Sequence, residues 1–108
     1  MTEVEQAIEN LLSVIKQTKE YEEFRYQLDK INLQPELHRQ IDDFRKENFE
    51  LQNNTPEDQM LQKSEEFEER YQTFRENPLV NDFLTAETAF CRRMQEINLK
   101  ITEGLQFE

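Results

Sequence analysis

An all-α fold follows from three features of the sequence. Apolar residues recur at alternating spacings of three and four in five successive segments, which is one face of a helix each time. Glycine occurs once and proline three times in 108 residues. Each proline sits where one apolar pattern gives way to the next. The expected architecture is about five helices in a single domain over residues 1–108: a helical hairpin and a long C-terminal helix, bundle-like and dimeric.

The first helix carries Val4, Ile8, Leu11 and Ile15, with Ala7 and Leu12 beside them. Thr2 and Glu5 have the spacing of a capping box. Tyr21, Phe24, Leu28 and Ile31 form a second stripe. The six residues from Ile15 to Tyr21 rotate a helix by about 600°, so the two stripes are out of phase and a break falls near Thr18.

Pro35 suits the first turn of a third helix, where its missing N–H costs nothing. Leu37, Ile41, Phe44, Asn48 and Leu51 give its face, over residues 36–52. "NNTPED" interrupts the pattern, with Thr55 as an N-cap and Pro56 in the first turn. Met60, Ser64, Phe67, Tyr71 and Phe74 follow within residues 57–75. The short connection predicts an antiparallel hairpin. Asn48 and Ser64 are polar on apolar stripes; either they fix the hairpin register or they lie at a solvated end.

Asn77 caps and Pro78 opens the last helix, and Gly104 is placed at its C-terminal end. Its stripe is Val80, Phe83, Glu87, Phe90, Met94, Ile97 and Ile101. About 26 residues extend roughly 39 Å, against a radius of gyration of about 13 Å for a compact domain of this length. A second copy is the natural cover for the overhang. Phe83, Phe90, Met94, Ile97 and Ile101 are therefore the expected self-association residues.

The formal net charge is −11. Segments 1–34, 35–55, 56–77 and 78–108 carry −3, −2, −4 and −2, so none is net basic. A phosphate backbone is bound through positive surface, which argues against nucleic acid as a direct ligand. No apolar run approaches the ~20 residues of a membrane span. The opening residues have neither the basic nor the apolar region of a signal peptide, and the expected location is cytoplasmic.

Catalytic, cofactor-binding and metal residues are all expected to be none. His38 is the one histidine and reads as a flank of the hairpin stripe. Cys91 is the one cysteine and reads as a small residue beside the core stripe; alone it makes no disulfide and no iron–sulfur site within one chain. The acids of "SEEFEERYQTF" lie along a helix with Lys63, Arg70 and Arg75 interspersed, which is a solvated face rather than a cation loop. Arg92 and Arg93 are expected to pair with carboxylates of a neighbouring helix. The competing readings are a structural helical spacer without partners and a metal-binding protein or enzyme.

The succession "TKEYEEFR", "ELHRQIDDFRKENFELQ", "NPLVNDFLTAE" and "MQEINLKITEGLQFE" resembles the YlbF/YmcA family of small bacterial proteins. The most specific pieces are Tyr21 after a polar turn, and Asn77-Pro78-Leu79-Val80 with Phe83, Ala86 and Glu87. The resemblance covers essentially the whole chain. It implies an all-α, cytosolic, self-associating regulator rather than an enzyme. It also implies roles in competence, sporulation and biofilm control, through complexes with family paralogues that influence a membrane-associated endoribonuclease and RNA processing. Some members help bind iron–sulfur clusters through several cysteines; with Cys91 alone, that property is not carried over.

Overall fold

In a computed structural model describing residues 2–106, five α-helices account for nearly all of the chain: α1 (Glu3–Ile15), α2 (Lys19–Asn32), α3 (Pro35–Asn54), α4 (Met60–Glu76) and α5 (Pro78–Leu105). Among the described residues there is no strand. The chain divides into two compact units. One comprises residues up to Leu28 and from Phe83 onward, the other Asp29–Asp82.

Helix α1 starts at Thr2, whose Oγ1 accepts the Glu5 N–H at 3.1 Å. It ends where expected, at a turn through Lys16–Thr18. Thr18 makes the break with its own hydroxyl, which donates to the Ile15 carbonyl at 2.7 Å and accepts the Tyr21 N–H at 3.2 Å. One side chain thus closes α1 and caps α2. The change of phase between the two stripes is the consequence.

In the first unit, α2 meets α5 through aromatic rings. Phe24 stacks on Phe90 with centroids 5.2 Å apart and touches Phe83 at 6.0 Å. Tyr21 packs edge-on against Phe90 at 5.5 Å. Ile15, Phe83 and Ala86 are buried here. Gln27 is buried among them: its Nε2 donates to Glu23 Oε1 at 2.8 Å, and its Oε1 has no partner among the described residues.

The second unit is built on the α3–α4 hairpin. Ile31, Leu37, Ile41, Phe44, Phe67 and Val80 are its buried residues. Phe44 sits against three rings of α4: Tyr71 at 5.1 Å, Phe67 at 5.4 Å and Phe74 at 5.6 Å. Offset and edge-on pairs of this kind add about 0.5–1.5 kcal/mol each beyond the area they bury. The connection differs from the expected one. Thr55 is extended and closes α3, and Pro56 precedes a single 3₁₀ turn, Glu57–Gln59, before α4 begins at Met60. Thr55 is thus a C-terminal cap rather than an N-cap, because α3 runs two residues past the predicted end. Asn48 and Ser64 are half-buried.

Asn77 Oδ1 accepts the Leu79 N–H at 3.0 Å, and Pro78 is the first residue of α5. The helix has 28 residues, about 42 Å at 1.5 Å per residue. Gly104 is not its cap. It lies within the helix with no positive φ, and the left-handed residue is Gln106, at φ 53°. The helix passes through Gly104 and ends one residue later, at Leu105; an isolated glycine weakens a helix without ending it.

Candidate interaction surface

The five residues expected to mediate self-association divide into two groups. Phe83 is 2% exposed, and Phe90 is half-buried against Tyr21 and Phe24 of the same chain. These two rings serve the chain's own core. Helical spacing identifies an apolar face without saying which partner meets it. Met94 and Ile97 are half-buried and Ile101 is exposed. The open part of the stripe is therefore its C-terminal half, extended by exposed Leu105.

Helix α1, in the same unit, is more open still. Val4, Ile8, Leu11 and Leu12 are all exposed, at 69%, 50%, 38% and 48%. They fall at i, i+4, i+7 and i+8, one continuous stripe. Only Ile15 of that face is buried. The sequence shows this face as apolar; the structure adds that the chain leaves it largely uncovered.

Charged side chains border the stripes. Arg93 Nη2 lies 3.0 Å from Glu20 Oε1, tying α5 to α2, and Arg93 Nη1 lies 3.5 Å from Glu96. The Glu20 carboxyl is held below its usual range, first by a backbone N–H and then by the Arg93 guanidinium. The pairing expected of Arg93 is thus formed. Cys91 is free and exposed.

In the second unit, Arg70 bridges to α3 through Glu47 at 2.9 Å and stands over the rings of Phe67 and Tyr71. Two open cavities of about 430 Å³ each have Arg70 in their lining. One is lined by Glu47, Glu50, Lys63, Glu66, Phe67 and Arg70 among others. The other includes Gln40, Asp43, Tyr71, Phe74 and Asn77. Burial, then a hydrogen bond to Glu47, pushes the Tyr71 hydroxyl up to about 12. Neither lining includes a histidine or a cysteine. The α4 acids are interleaved with bases as expected: Lys63 with Glu66 at 3.8 Å and Arg75 with Glu68 at 3.6 Å. His38 Nδ1 is 3.2 Å from Asp42 on the surface of α3. Among the described residues no three His, Cys, Asp or Glu side chains converge as metal ligands, and no helix is long and apolar enough to cross a membrane.

Residues 4–106 match the family model described as control of competence regulator ComK, YlbF/YmcA. A UPF0342 protein of Caldicellulosiruptor bescii is 25% identical over 100 residues, covering 91% of this chain and 84% of that protein. No solved structure matches. The match spans all five helices, including the Thr18 turn and the Asn77–Pro78 corner, and the chain belongs to the YlbF/YmcA family.

Proposed function

We propose that this protein is a non-enzymatic regulator of the bacterial cytoplasm that acts through protein contacts, as a self-associated helical module. The observation that carries the reading is the open apolar surface of the first unit. Met94, Ile97 and Ile101 on α5 remain accessible after the chain has packed its own core. Scattered exposed aliphatics are ordinary on a soluble protein; aligned stripes mark contact surfaces. The family's description as a control of a competence regulator supports a regulatory role. The more specific expectation is influence on RNA processing, through complexes with family paralogues and an endoribonuclease. The acidic balance favours contact with the proteins of such a complex over contact with RNA itself.

Recovery of the tagged full-length chain from its native host tests this, with the bound proteins identified by mass spectrometry and transcript ends mapped with and without the gene. The expected result is reproducible recovery of ribonuclease or paralogue subunits, and altered cleavage on deletion. Unchanged transcript ends, with no such subunit recovered, would overturn the RNA-processing reading.

A further inference from the structure

The α3–α4 hairpin carries a groove along one edge. The two cavities that share Arg70 draw on Asp43, Glu47 and Glu50 from α3 and on Lys63, Glu66 and Arg70 from α4. Each set is spaced by three and four residues, so each forms one row along its helix. Leu51, Phe67, Tyr71 and Phe74 supply the apolar part of the linings. From Gln40 to Asn54 the α3 row is about 21 Å long, at 1.5 Å per residue. The charge here is acidic. Residues 29–82 carry fourteen acidic and seven basic side chains, so half of the chain holds −7 of the formal −11. The two linings together hold four carboxylates against Lys63 and Arg70. Both cations are already paired, Lys63 loosely with Glu66 at 3.8 Å and Arg70 with Glu47 at 2.9 Å. Glu50 is exposed and has no ion-pair partner among the described residues.

Arg70 shows what the groove accommodates. Its guanidinium meets the Glu47 carboxylate while standing 5.9 Å and 5.4 Å from the ring centroids of Phe67 and Tyr71. A carboxylate beside an aromatic face suits a planar guanidinium better than an ammonium. The Arg70 side chain is nevertheless 61% exposed, and an ion pair that open is weak enough to be exchanged. We propose that the groove is the docking site for an arginine-bearing amphipathic helix of another protein. Its guanidinium groups reach Glu47 and Glu50, and its apolar side rests on Leu51, Tyr71 and Phe74, all half-buried. Arg70 is the internal competitor that the incoming arginine displaces. About four helical turns match the length of the groove, and a helix presents arginine and apolar residues at the same three- and four-residue spacing. The inference rests on the reading of a regulator that acts through protein contacts, and it uses a surface separate from the open stripes of the first unit.

A fluorescent peptide of about sixteen residues tests this by anisotropy on the full chain. It is built of Ala, Leu and Arg, with Leu and Arg each recurring at helical spacing. The comparison peptide has citrulline, neutral and of nearly the same shape, at every arginine. Measurement at about 0.15 M salt largely screens attraction between distant charges. The arginine peptide is expected to bind at least ~10-fold more tightly than the citrulline peptide. Glu47→Gln with Glu50→Gln should weaken its binding ~10-fold, as for two exposed charge pairs lost. Glu65→Gln with Glu69→Gln, exposed on α4 and outside both linings, should leave it unchanged. Arg70→Ala should tighten it several-fold by removing the competitor. Glu50→Gln alone, at an exposed position without a partner, reports on the groove even where the Glu47 change disturbs the hairpin. Equal losses from the two pairs of glutamine variants would mean attraction to overall acidity and would overturn the groove. Weaker binding to Arg70→Ala overturns it too, by placing an acidic partner there, and so does equal binding of the two peptides. None of these outcomes alters which subunits are recovered from the native host, so the broader regulatory reading stands or falls separately.

Discussion

Arg93 and Glu20 lie 73 residues apart in sequence and meet at 3.0 Å. Their contact joins the first turn of α2 to the middle of α5, next to the Tyr21–Phe90 pair. Both side chains reach solvent, so the pair orients more than it stabilises. The Glu20 carboxyl is depressed in the folded chain, first by a backbone N–H and then by Arg93. Its stabilising contribution is present above the unfolded carboxylate pKa and is lost as pH falls through the lowered folded value. NMR titration should place the Glu20 side chain below the ordinary carboxylate range. Arg93→Ala should move it only part of the way back, because the backbone bond remains.

Tyr71 tests the second unit from the alkaline side. Its folded pKa is raised, so the neutral phenol is favoured in the native state. The associated stability is complete below the ordinary tyrosine value of about 10 and is lost as pH rises towards about 12. Ultraviolet titration should show one tyrosine ionising late. Tyr71→Phe should abolish that late step at a cost of ~1 kcal/mol, the usual net value of one hydrogen bond. A late step persisting in the variant would assign it to another residue.

Gly104→Ala should stabilise the protein. The residue is helical with no positive φ, and a Cβ there would meet nothing within 4 Å. Alanine is favoured over glycine inside a helix by about 0.5–1 kcal/mol, an upper figure this close to a helix end. A rise in Tm is the expected result. A fall would indicate that Gly104 caps the helix after all.

Phe83→Ala and Cys91→Ser should separate sharply in urea unfolding. Phe83 is enclosed against Phe24, and its truncation should cost about 3–5 kcal/mol. Cys91 is exposed, and its change should stay within ~0.5 kcal/mol. Equal costs would contradict the division of α5 into a buried and an open half.

Four of the five helices are legible from a local signal at the start: Thr2, Thr18, Pro35 and the Asn77–Pro78 corner act on backbone groups within three residues, whereas α4 begins at Met60 without a side-chain cap. What spacing could not reveal was destination. Phe83 and Ile101 lie on one stripe of one helix, yet one is buried by Phe24 and the other is 47% exposed. That difference depends on where α2 lies, a contact between residues some sixty positions apart. The same limit applies to α1, whose face reads like a core face. Gly104 differs for another reason: glycine is common just past helix ends, but here the helix ends one residue after it, at Leu105.

The division of the chain also sets an order of events during synthesis. The α3–α4 hairpin is made of neighbouring segments, with Phe44 and Tyr71 only 27 positions apart, so it can close on a nascent chain as soon as both helices have left the ribosome. The other unit cannot. Its rings at Tyr21 and Phe24 wait for Phe83 and Phe90, and the loop to be closed is costlier in entropy and slower to form. Until α5 is translated, Tyr21 and Phe24 have no ring to pack against and are exposed to whatever binds amphipathic helices, chaperones included.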